Sequence, residues 1–303
     1  MRPFRHWPLP GRPKLELPNG ARLAVWVAPN IEVYEAGKSP ISIGAHTARF
    51  DPDPMNDGWR DYGARVGVWR LMEVLERHGF RGSAPINAEA CEAYPEIVEA
   101  GNERGWCWIA HGKENTTLHG DMEPGVERPL LLEMHETIER LTGRPSRGWL
   151  GPGLTETAET PGILAELGYT YLTDWCNDDQ PFPLDVSGAR MIAVPYSIEV
   201  NDIPVFIGGH ASAPVYEQML VDQFEMLHAA AAAADTAYVM AIPVHPFLVG
   251  LPFRLRHLER ALAHIASHDD VWLTTSDEIA DWYLENHYDA ALESIGGLAG
   301  SSG

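Results

Sequence analysis

The sequence predicts an α/β fold with largely parallel strands, and three observations favour a barrel. Between residues 22 and 287, short apolar runs alternate with segments of helical period, as in successive β-α units. The apolar runs are nearly continuous rather than alternating, which is typical of strands that are buried on both faces. No GxGxxG fingerprint follows the first run, so a barrel is favoured over an open nucleotide-binding sheet.

The individual elements follow from these patterns. Val68, Leu71, Met72 and Leu75 form one apolar helical stripe, which is predicted to end near Gly79. The apolar runs predict seven strands: residues 22–28, 106–110, 148–150, 169–173, 191–194, 238–243 and 271–274. The other segments of helical period predict four helices: residues 155–168, 215–234, 254–267 and 276–285.

Residues 35–63 form a long segment without a clear period, as in functional loops that cover a site. No linker composition interrupts the chain, so a single domain is predicted over residues 1–288. The final residues read GGLAGSSG, which predicts a flexible C-terminal tail over 289–303.

Composition excludes several function classes. The formal net charge of −21 disfavours nucleic acid and anionic membrane surfaces as partners. The N-terminal segment has no apolar core of a secretory signal, and no apolar stretch approaches a membrane span. The three cysteines form no CxxC pair and are odd in number, so we expect a reducing, cytoplasmic setting.

Polar residues follow several predicted strands at their carboxyl ends, where the active sites of parallel barrels lie. Asn30 and Glu32 follow the first strand, and His111 follows the second. Two histidines and two carboxylates at one barrel mouth would suit hydrolysis, with activation of water and protonation of a leaving group. The complete set is Asn30, Glu32, His111, Gly151, Pro152, Gly153, Asp174 and His245.

Each of these residues also has a structural interpretation. A histidine at a strand end often serves only as a hydrogen-bonding partner, and Glu32 could pair with an arginine. Asp174 could hold a loop instead of orienting a catalytic histidine. The glycines around Pro152 suit a tight turn without any chemistry.

A metal site is a separate question. His111 and Asn115 have the i, i+4 spacing of a ligand pair, but asparagine is a poor zinc ligand, and no HExxH motif is present. No tightly bound cofactor is expected. If a divalent metal such as zinc were bound, Glu32 and His111 would be its ligands, together with a third donor.

Seven segments in order resemble the polysaccharide deacetylase-like (NodB-homology) superfamily, over roughly residues 15–287. Within it, the chain is most similar to the cytoplasmic branch that contains the metal-independent allantoinases. The resemblance implies a distorted (β/α) barrel and, from cytosolic relatives, a homo-oligomer. The segments are residues 30–32, 62–79, 111–115 (HGKEN), 148–153 (GWLGPG), 174–181, 194–202 and 245–259.

The resemblance also implies roles, with departures from the family pattern. Asn30 stands at the position of the family's base, and Glu32 at that of a metal ligand. The HxxxH ligand pair becomes His111 with Asn115, and the arginine expected near Leu150 is missing. The late histidine, which protonates the departing nitrogen in the family, is retained as His245.

These residues give a mechanistic hypothesis for cleavage of a C–N bond in a small amide, cyclic amide or ureide. Glu32 and His111 would position and deprotonate water, and His245 would protonate the leaving nitrogen. Asp174 would orient a histidine, and backbone N–H groups of residues 151–153 would stabilise an oxyanion. Substrate contacts would come from Asn30, Asn115, Trp149, Gly151, Pro152, Gly153, Trp175 and Phe247.

Three other interpretations compete with this hypothesis. One is a metal-dependent carbohydrate N-deacetylase, which the missing Asp pair disfavours. Another is a catalytically inactive member that binds a ligand, for which Asn30 and Asn115 are the expected signs. The third is a purely structural partner protein, which the many polar groups at the predicted mouth disfavour.

Overall fold

The computed structural model describes residues 2–35, 37–38, 41–123, 125–186 and 188–300, with side chains described up to residue 297. Within these residues, nine strands and eleven helices alternate along most of the chain, as the apolar pattern predicts. The strands are β1 Leu23–Pro29, β2 Ser83–Ile86, β3 Cys107–Ala110, β4 Gly148–Trp149, β5 Tyr171–Leu172, β6 Phe182–Pro183, β7 Ile192–Ala193, β8 Tyr238–Val244 and β9 Val271–Leu273.

The helices cover the outer face of the sheet. Short π-helical turns at Gly63–Gly67 and Pro204–Gly208 supplement them. The helices are α1 Pro54–Tyr62, α2 Val68–Arg77, α3 Ala88–Ala93, α4 Pro95–Glu103, α5 Glu127–Thr142, α6 Thr160–Glu166, α7 Ala213–Ala234, α8 Pro246–Val249, α9 Pro252–Ala266, α10 Ser276–Asn286 and α11 Tyr288–Gly300.

The sheet topology is that of a distorted, largely parallel barrel. One sheet has the order β8-β1-β9 and the other the order β2-β3-β4-β5-β7-β6. Parallel bridges from Val27 to Gly82 and from Ile31 to Ile86 join β1 to β2. Only β6 runs antiparallel to its partner, β7. The predicted fold class, an α/β barrel with largely parallel strands, is therefore confirmed.

The strands are buried on both faces, which explains their continuous apolar sequence. All seven residues of β1 are buried, with Leu23, Val25 and Val27 packed under the helices. A second apolar cluster fills the barrel interior, because nearly every strand region contributes to it. Its strand-region members are Ala24, Trp26, Ala28, Ile109, Leu150, Tyr171, Ile192, Val194, Val239 and Ala241.

Several predicted elements differ from the observed ones. The helix predicted over 155–168 begins only at Thr160, because Pro152–Leu154 forms a short 3₁₀ turn and an irregular segment follows. Strands β2 and β6 and helices α1, α3, α4, α5 and α8 were not predicted. The long segment predicted as a loop contains α1, and its residues 36, 39 and 40 lie outside the described residues.

The prediction of a flexible tail from residue 289 is wrong for most of that segment. The chain forms α11 there, and Tyr288 and Ala291 are buried. Asp289 pairs with Arg190 at 2.6 Å, and Ser294 accepts a hydrogen bond from the Trp7 indole at 3.2 Å. These contacts hold the segment, although its glycines and small residues suggest a mobile end. Residues 301–303 of the predicted tail lie outside the described residues.

Candidate active site

Three strand ends bring Glu32, His111 and His245 together. The backbone after β1 continues beside its neighbours, because Asn30 donates to the Val244 carbonyl and Ile31 to the Pro85 carbonyl. The Glu32 side chain therefore lies over the barrel mouth. His111 and His245 directly follow β3 and β8. The sequence placed these three residues at one mouth, and the structure does the same.

The two imidazoles converge on one carboxylate oxygen. Glu32 Oε1 lies 3.2 Å from His111 Nε2 and 3.5 Å from His245 Nε2. All three side chains are at most 4% exposed. Glu32 Oε2 accepts a hydrogen bond from the Tyr34 hydroxyl. Both oxygens of the carboxylate thus have partners.

A second carboxylate, Asp202, holds His245 from the opposite side. Asp202 Oδ1 accepts from His245 Nδ1 at 2.6 Å, and Oδ2 accepts from the His245 backbone N–H at 2.8 Å. Burial lowers the pKa of His245, but the negative charges of Glu32 and Asp202 outweigh burial and raise it. His245 is therefore held as an imidazolium at neutral pH, the form that donates a proton.

The Glu32 carboxylate carries the negative charge that faces the positive charge of His245. Burial raises the pKa of the Glu32 carboxyl, but the positive charge of His245 and hydrogen bonds from both histidines lower it well below its usual range. The site therefore combines an ionised carboxylate with a protonated imidazole. Environments that drive two groups into opposite protonation states are typical of acid–base sites.

The hydrogen bonding of His111 places a hydrogen on Nδ1, because Nδ1 lies 2.6 Å from the Leu150 carbonyl oxygen, which can only accept. Its Nε2, at 3.2 Å, lies within hydrogen-bonding distance of Glu32 Oε1. The turn that follows requires Gly112, because its φ is +68° and a Cβ there would lie 2.4 Å from Pro152 Cγ.

Next to Glu32 lies a cavity of about 20 Å³, which is room for roughly one water molecule. Phe247 lines this cavity, as predicted for a pocket wall, and its ring lies 5.5 Å from that of His245. Arg60 and Gly63 from the long segment 35–63 also line it. Part of that segment therefore covers the candidate site.

Asp174 does not orient a histidine, contrary to the sequence-based prediction. Its Oδ1 accepts from the Gly151 backbone N–H at 2.7 Å, and its Oδ2 has no hydrogen-bond partner within the described chain. The carboxylate that orients His245 is Asp202. The hydrogen bond to Asp174 occupies the Gly151 N–H, so this N–H group is not free to stabilise an oxyanion. Gly153 lies in the short Pro152–Leu154 turn, with φ +60°.

Two of the predicted aromatic contacts also lie elsewhere. Trp149 is fully buried and packs under the helices, with its ring 5.2 Å from His119. Because Leu150 points into the barrel, the neighbouring Trp149 must point outward. Trp175 packs edge-on against Phe4, with ring centroids 4.9 Å apart. Neither indole is a wall of the cavity at Glu32.

The two asparagines have defined partners. The Asn30 amide donates to the carbonyls of Ala28 and Val244, at 3.0 and 3.2 Å, and lies 3.4 Å from the Tyr196 hydroxyl. It therefore joins the ends of β1 and β8 and cannot act as a base. The Asn115 amide donates to the Tyr34 hydroxyl at 3.1 Å.

Sequence reasoning missed Asp202 and Tyr34. Asp202 lies in the quoted segment 194–202, but nine residues after the end of β7, so a rule that examines strand ends does not find it. Tyr34 is only two residues beyond Glu32. Its aromatic ring resembles an ordinary packing residue until the path of the loop is known.

The residues present do not match a conventional metal site. Structural and catalytic zinc sites use at least three protein donors. Glu32 and His111 offer two, and His245 is occupied by Asp202. Within the described chain, no group of three or more His, Cys, Asp or Glu side chains could hold a metal ion. We therefore derive no step through a metal.

The fold and the site together define an acid–base site at the mouth of a parallel α/β barrel. No protein-family model matches the chain. It is 26% identical over 247 residues to a putative polysaccharide deacetylase of Schizosaccharomyces pombe, covering 76% of this chain and 77% of that protein. It is 25% identical over 282 residues to a peptidoglycan deacetylase of Helicobacter pylori, covering 81% and 92%.

Solved structures with a similar fold include proteins of the same kind. A probable polysaccharide deacetylase from Pseudomonas aeruginosa has a TM-score of 0.81 at 26% identity, covering 92% of this chain and 96% of its own. The Puue allantoinase has a TM-score of 0.81 at 25% identity, covering 92% and 95%. These relatives and structures support membership of the polysaccharide deacetylase-like (NodB-homology) superfamily.

Proposed function

We propose that this protein is a hydrolase that cleaves a C–N bond in a small amide, cyclic amide or ureide. The observation that carries the proposal is the pair formed by ionised Glu32 and protonated His245, with His111 at the same carboxylate oxygen. Hydrolysis of such a bond needs a proton acceptor for water and a proton donor for nitrogen within reach of one bond. Relatives named as deacetylases and a structural neighbour named as an allantoinase support amide-type chemistry.

Each residue has a defined task in this proposal. Glu32 and His111 position the attacking water, and its proton passes to this pair. His245 gives its proton to the departing nitrogen, which would otherwise leave as a poor anion. Asp202 holds the donor ring in position. The tetrahedral intermediate forms between the water and His245.

The cavity beside Glu32 is small, about 20 Å³, which favours a compact substrate. It leaves little room for a polymer at the reacting carbon, and segment 35–63 contributes to its wall. The net charge of −21 further disfavours polyanionic substrates. These observations support a neutral or cationic small molecule, and we expect no tightly bound cofactor.

The test is a screen of small amides, cyclic amides and ureides for ammonia or acid release, with His245→Ala beside the wild type. We expect His245→Ala to lose at least about a hundredfold in kcat with folding intact. His287→Ala is the matched control, because the described contacts of the His287 side chain are with the Glu16 carbonyl and the Tyr283 ring. Undiminished turnover by His245→Ala would refute the mechanism.

A carbohydrate N-deacetylase is the second candidate, because both curated relatives are named as deacetylases of polysaccharide or peptidoglycan. Acetate release from N-acetylated oligosaccharides, measured with added zinc and with a chelator, distinguishes it. Zinc-dependent acetate release without turnover of small amides would favour this candidate. Elemental analysis of the purified protein measures whether it carries zinc.

We further propose a single domain over residues 1–288 and a cytoplasmic homo-oligomer. All three cysteines are free, as expected in a reducing compartment. None of the described helices is both long and apolar enough to cross a bilayer. Light scattering of the purified protein measures the oligomeric state directly.

A further inference from the structure

Tyr34 lies between two side chains of the candidate site, and its hydrogen bonds have only one consistent arrangement. The phenol has a single hydrogen, which it donates to Glu32 Oε2, since an ionised carboxylate can only accept. Any further partner of the phenol oxygen must therefore be a donor.

That partner is Asn115, whose orientation is fixed as a result. Its side-chain amide approaches the Tyr34 oxygen at 3.1 Å, so the NH₂ group faces Tyr34 and the carbonyl oxygen faces away. Asn115 is 5% exposed, and its backbone N–H donates to the Val33 carbonyl. The backbone at Asn115 is thus held in place, and the side-chain Oδ1 has no hydrogen-bond partner within the described chain. A nitrogen that donates hydrogen bonds cannot ligate a cation.

From this geometry we infer that Asn115 and Tyr34 form a hydrogen-bond relay that holds Glu32 in the position that a metal ion would otherwise fix. Asn115 donates to Tyr34, Tyr34 donates to Glu32 Oε2, and Glu32 Oε1 is thereby presented to the two imidazoles. Tyr34 and Asn115 are positioning residues, since they act through Glu32. The inference rests on the proposed function.

The relay has a specific energetic role. Without it, the buried carboxylate would have partners on one oxygen only, and its second oxygen would be left without a donor. A buried charge with an unsatisfied oxygen is costly, and the side chain would rotate to find another partner. Rotation of Glu32 would remove the water-binding oxygen from between His111 and His245.

The first test is Tyr34→Phe, which removes only the hydroxyl. We expect kcat to fall about ten- to a hundredfold, as for loss of a hydrogen bond to a charged group, with KM within about threefold. Asn115→Leu should give a smaller change in the same direction.

The matched control is Tyr169→Phe, because Tyr169 is also a buried tyrosine whose hydroxyl has a side-chain partner, His135 at 3.3 Å. This variant should keep its pH profile and its kcat within about twofold, since Tyr169 lies under helix α5. A kcat for Tyr34→Phe within twofold of wild type, or a loss explained only by lower thermal stability, would overturn the inference.

A second measurement does not depend on turnover. Equilibrium dialysis against micromolar zinc should show less than about 0.1 zinc per wild-type chain, and about one per Asn115→His chain, which gains a third donor. Stoichiometric zinc in the wild type would refute the relay as a substitute for a metal. If no amide or ureide is hydrolysed, the proposed function fails, while the zinc measurement still decides on the relay.

Discussion

At the scale of single residues, two carboxylates on opposite sides of one ring explain the behaviour of His245. Glu32 faces its Nε2, and Asp202 holds both its Nδ1 and its backbone N–H. The backbone contact fixes the start of α8 as well as the ring. Asp202 therefore sets both the orientation and the charge of the proton donor.

Replacement of Asp202 by asparagine tests this arrangement. We expect kcat to fall by a factor of about 10²–10⁴, as when the carboxylate that orients a catalytic histidine is lost. The carboxylate raises the pKa of His245, so the alkaline limb of the pH–rate profile should move to lower pH. Asp178→Asn, which removes a charge paired with Arg12, serves as the control. An unshifted alkaline limb would contradict the assignment.

A half-buried acid outside the catalytic set, Glu156, gives a prediction on stability. Burial raises the pKa of Glu156 to about 7 from an ordinary value of 4.5. The folded state thus binds a proton more tightly than the unfolded state. The contribution of Glu156 to stability is complete below pH 4.5 and is lost as pH rises towards 7.

We therefore expect Glu156→Gln to stabilise the protein by about 1–3 kcal/mol at pH 8 and to have little effect at pH 4.5. Thermal or urea unfolding at both pH values measures this. The exposed neighbour Glu159 supplies the control Glu159→Gln, for which no such difference between the two pH values is expected. Equal effects of Glu156→Gln at the two pH values would be inconsistent with a perturbed carboxyl.

The contrast between Asp174 and Asp202 shows what sequence reasoning can reach. Asp174 directly follows a strand, and so was predicted as the orienting carboxylate, but it turns to the Gly151 N–H. Asp202 reaches His245 only because an irregular loop after β7 folds back over the barrel. Residues fixed by strand ends, such as Glu32, His111 and His245, are predictable. Residues placed by loop paths are not.

At the scale of elements, the π-helical turn at Gly63–Gly67 lies directly against the start of α8, which follows His245. A Cβ on Gly67 would lie 2.1 Å from the Pro246 carbonyl oxygen, and a Cβ on Gly63 would lie 2.8 Å from the Phe247 backbone nitrogen. Gly67 itself has ordinary helical backbone angles, with φ −63°. Glycine is required here by backbone contact rather than by conformation.

Gly67→Ala should therefore destabilise the protein by about 2–4 kcal/mol, because backbone must move to accept the methyl group. It should also reduce kcat, since Pro246 follows His245. Gly58→Ala in α1 is the control, because its methyl group would meet nothing within 4 Å. There we expect stabilisation of about 0.5–1 kcal/mol. Unfolding curves that place both variants on the same side of wild type would contradict this account.

Strands with a strong hydrophobic pattern in the sequence were predicted, and strands with a weak pattern were not. Strands β1 and β8 are continuous apolar runs, and both were found. Strand β2 reads Ser-Ala-Pro-Ile, with little strand propensity, and it forms because β1 and β3 flank it. Tertiary pairing, which a local pattern does not contain, decides such elements.

At the scale of the whole molecule, α11 packs against the end of the barrel opposite the candidate site. Tyr288 is 4% exposed, lies under Arg190 and donates to the Ala189 carbonyl, just before β7. Ser294 accepts from Trp7 near the other end of the chain. The helix therefore connects the two termini across the barrel.

Truncation after His287 should lower the melting temperature by roughly 3–10 °C, because it exposes the surface under Tyr288 and Ala291. The kcat should stay within about twofold, because the removed residues lie at the amino ends of the strands. A melting temperature equal to that of the full chain would instead indicate the flexible tail that composition suggests. Differential scanning calorimetry of the truncated chain and the full chain measures the two melting temperatures.

The order of the strands has a consequence for biosynthesis. β1 is hydrogen-bonded along its whole length to β8, and Glu32 and His245 are separated by more than two hundred residues. A chain emerging from the ribosome therefore cannot place the proton donor beside its carboxylate until β8 and His245 have been synthesised. Fragments that stop before His245 would lack the proton donor and remain inert.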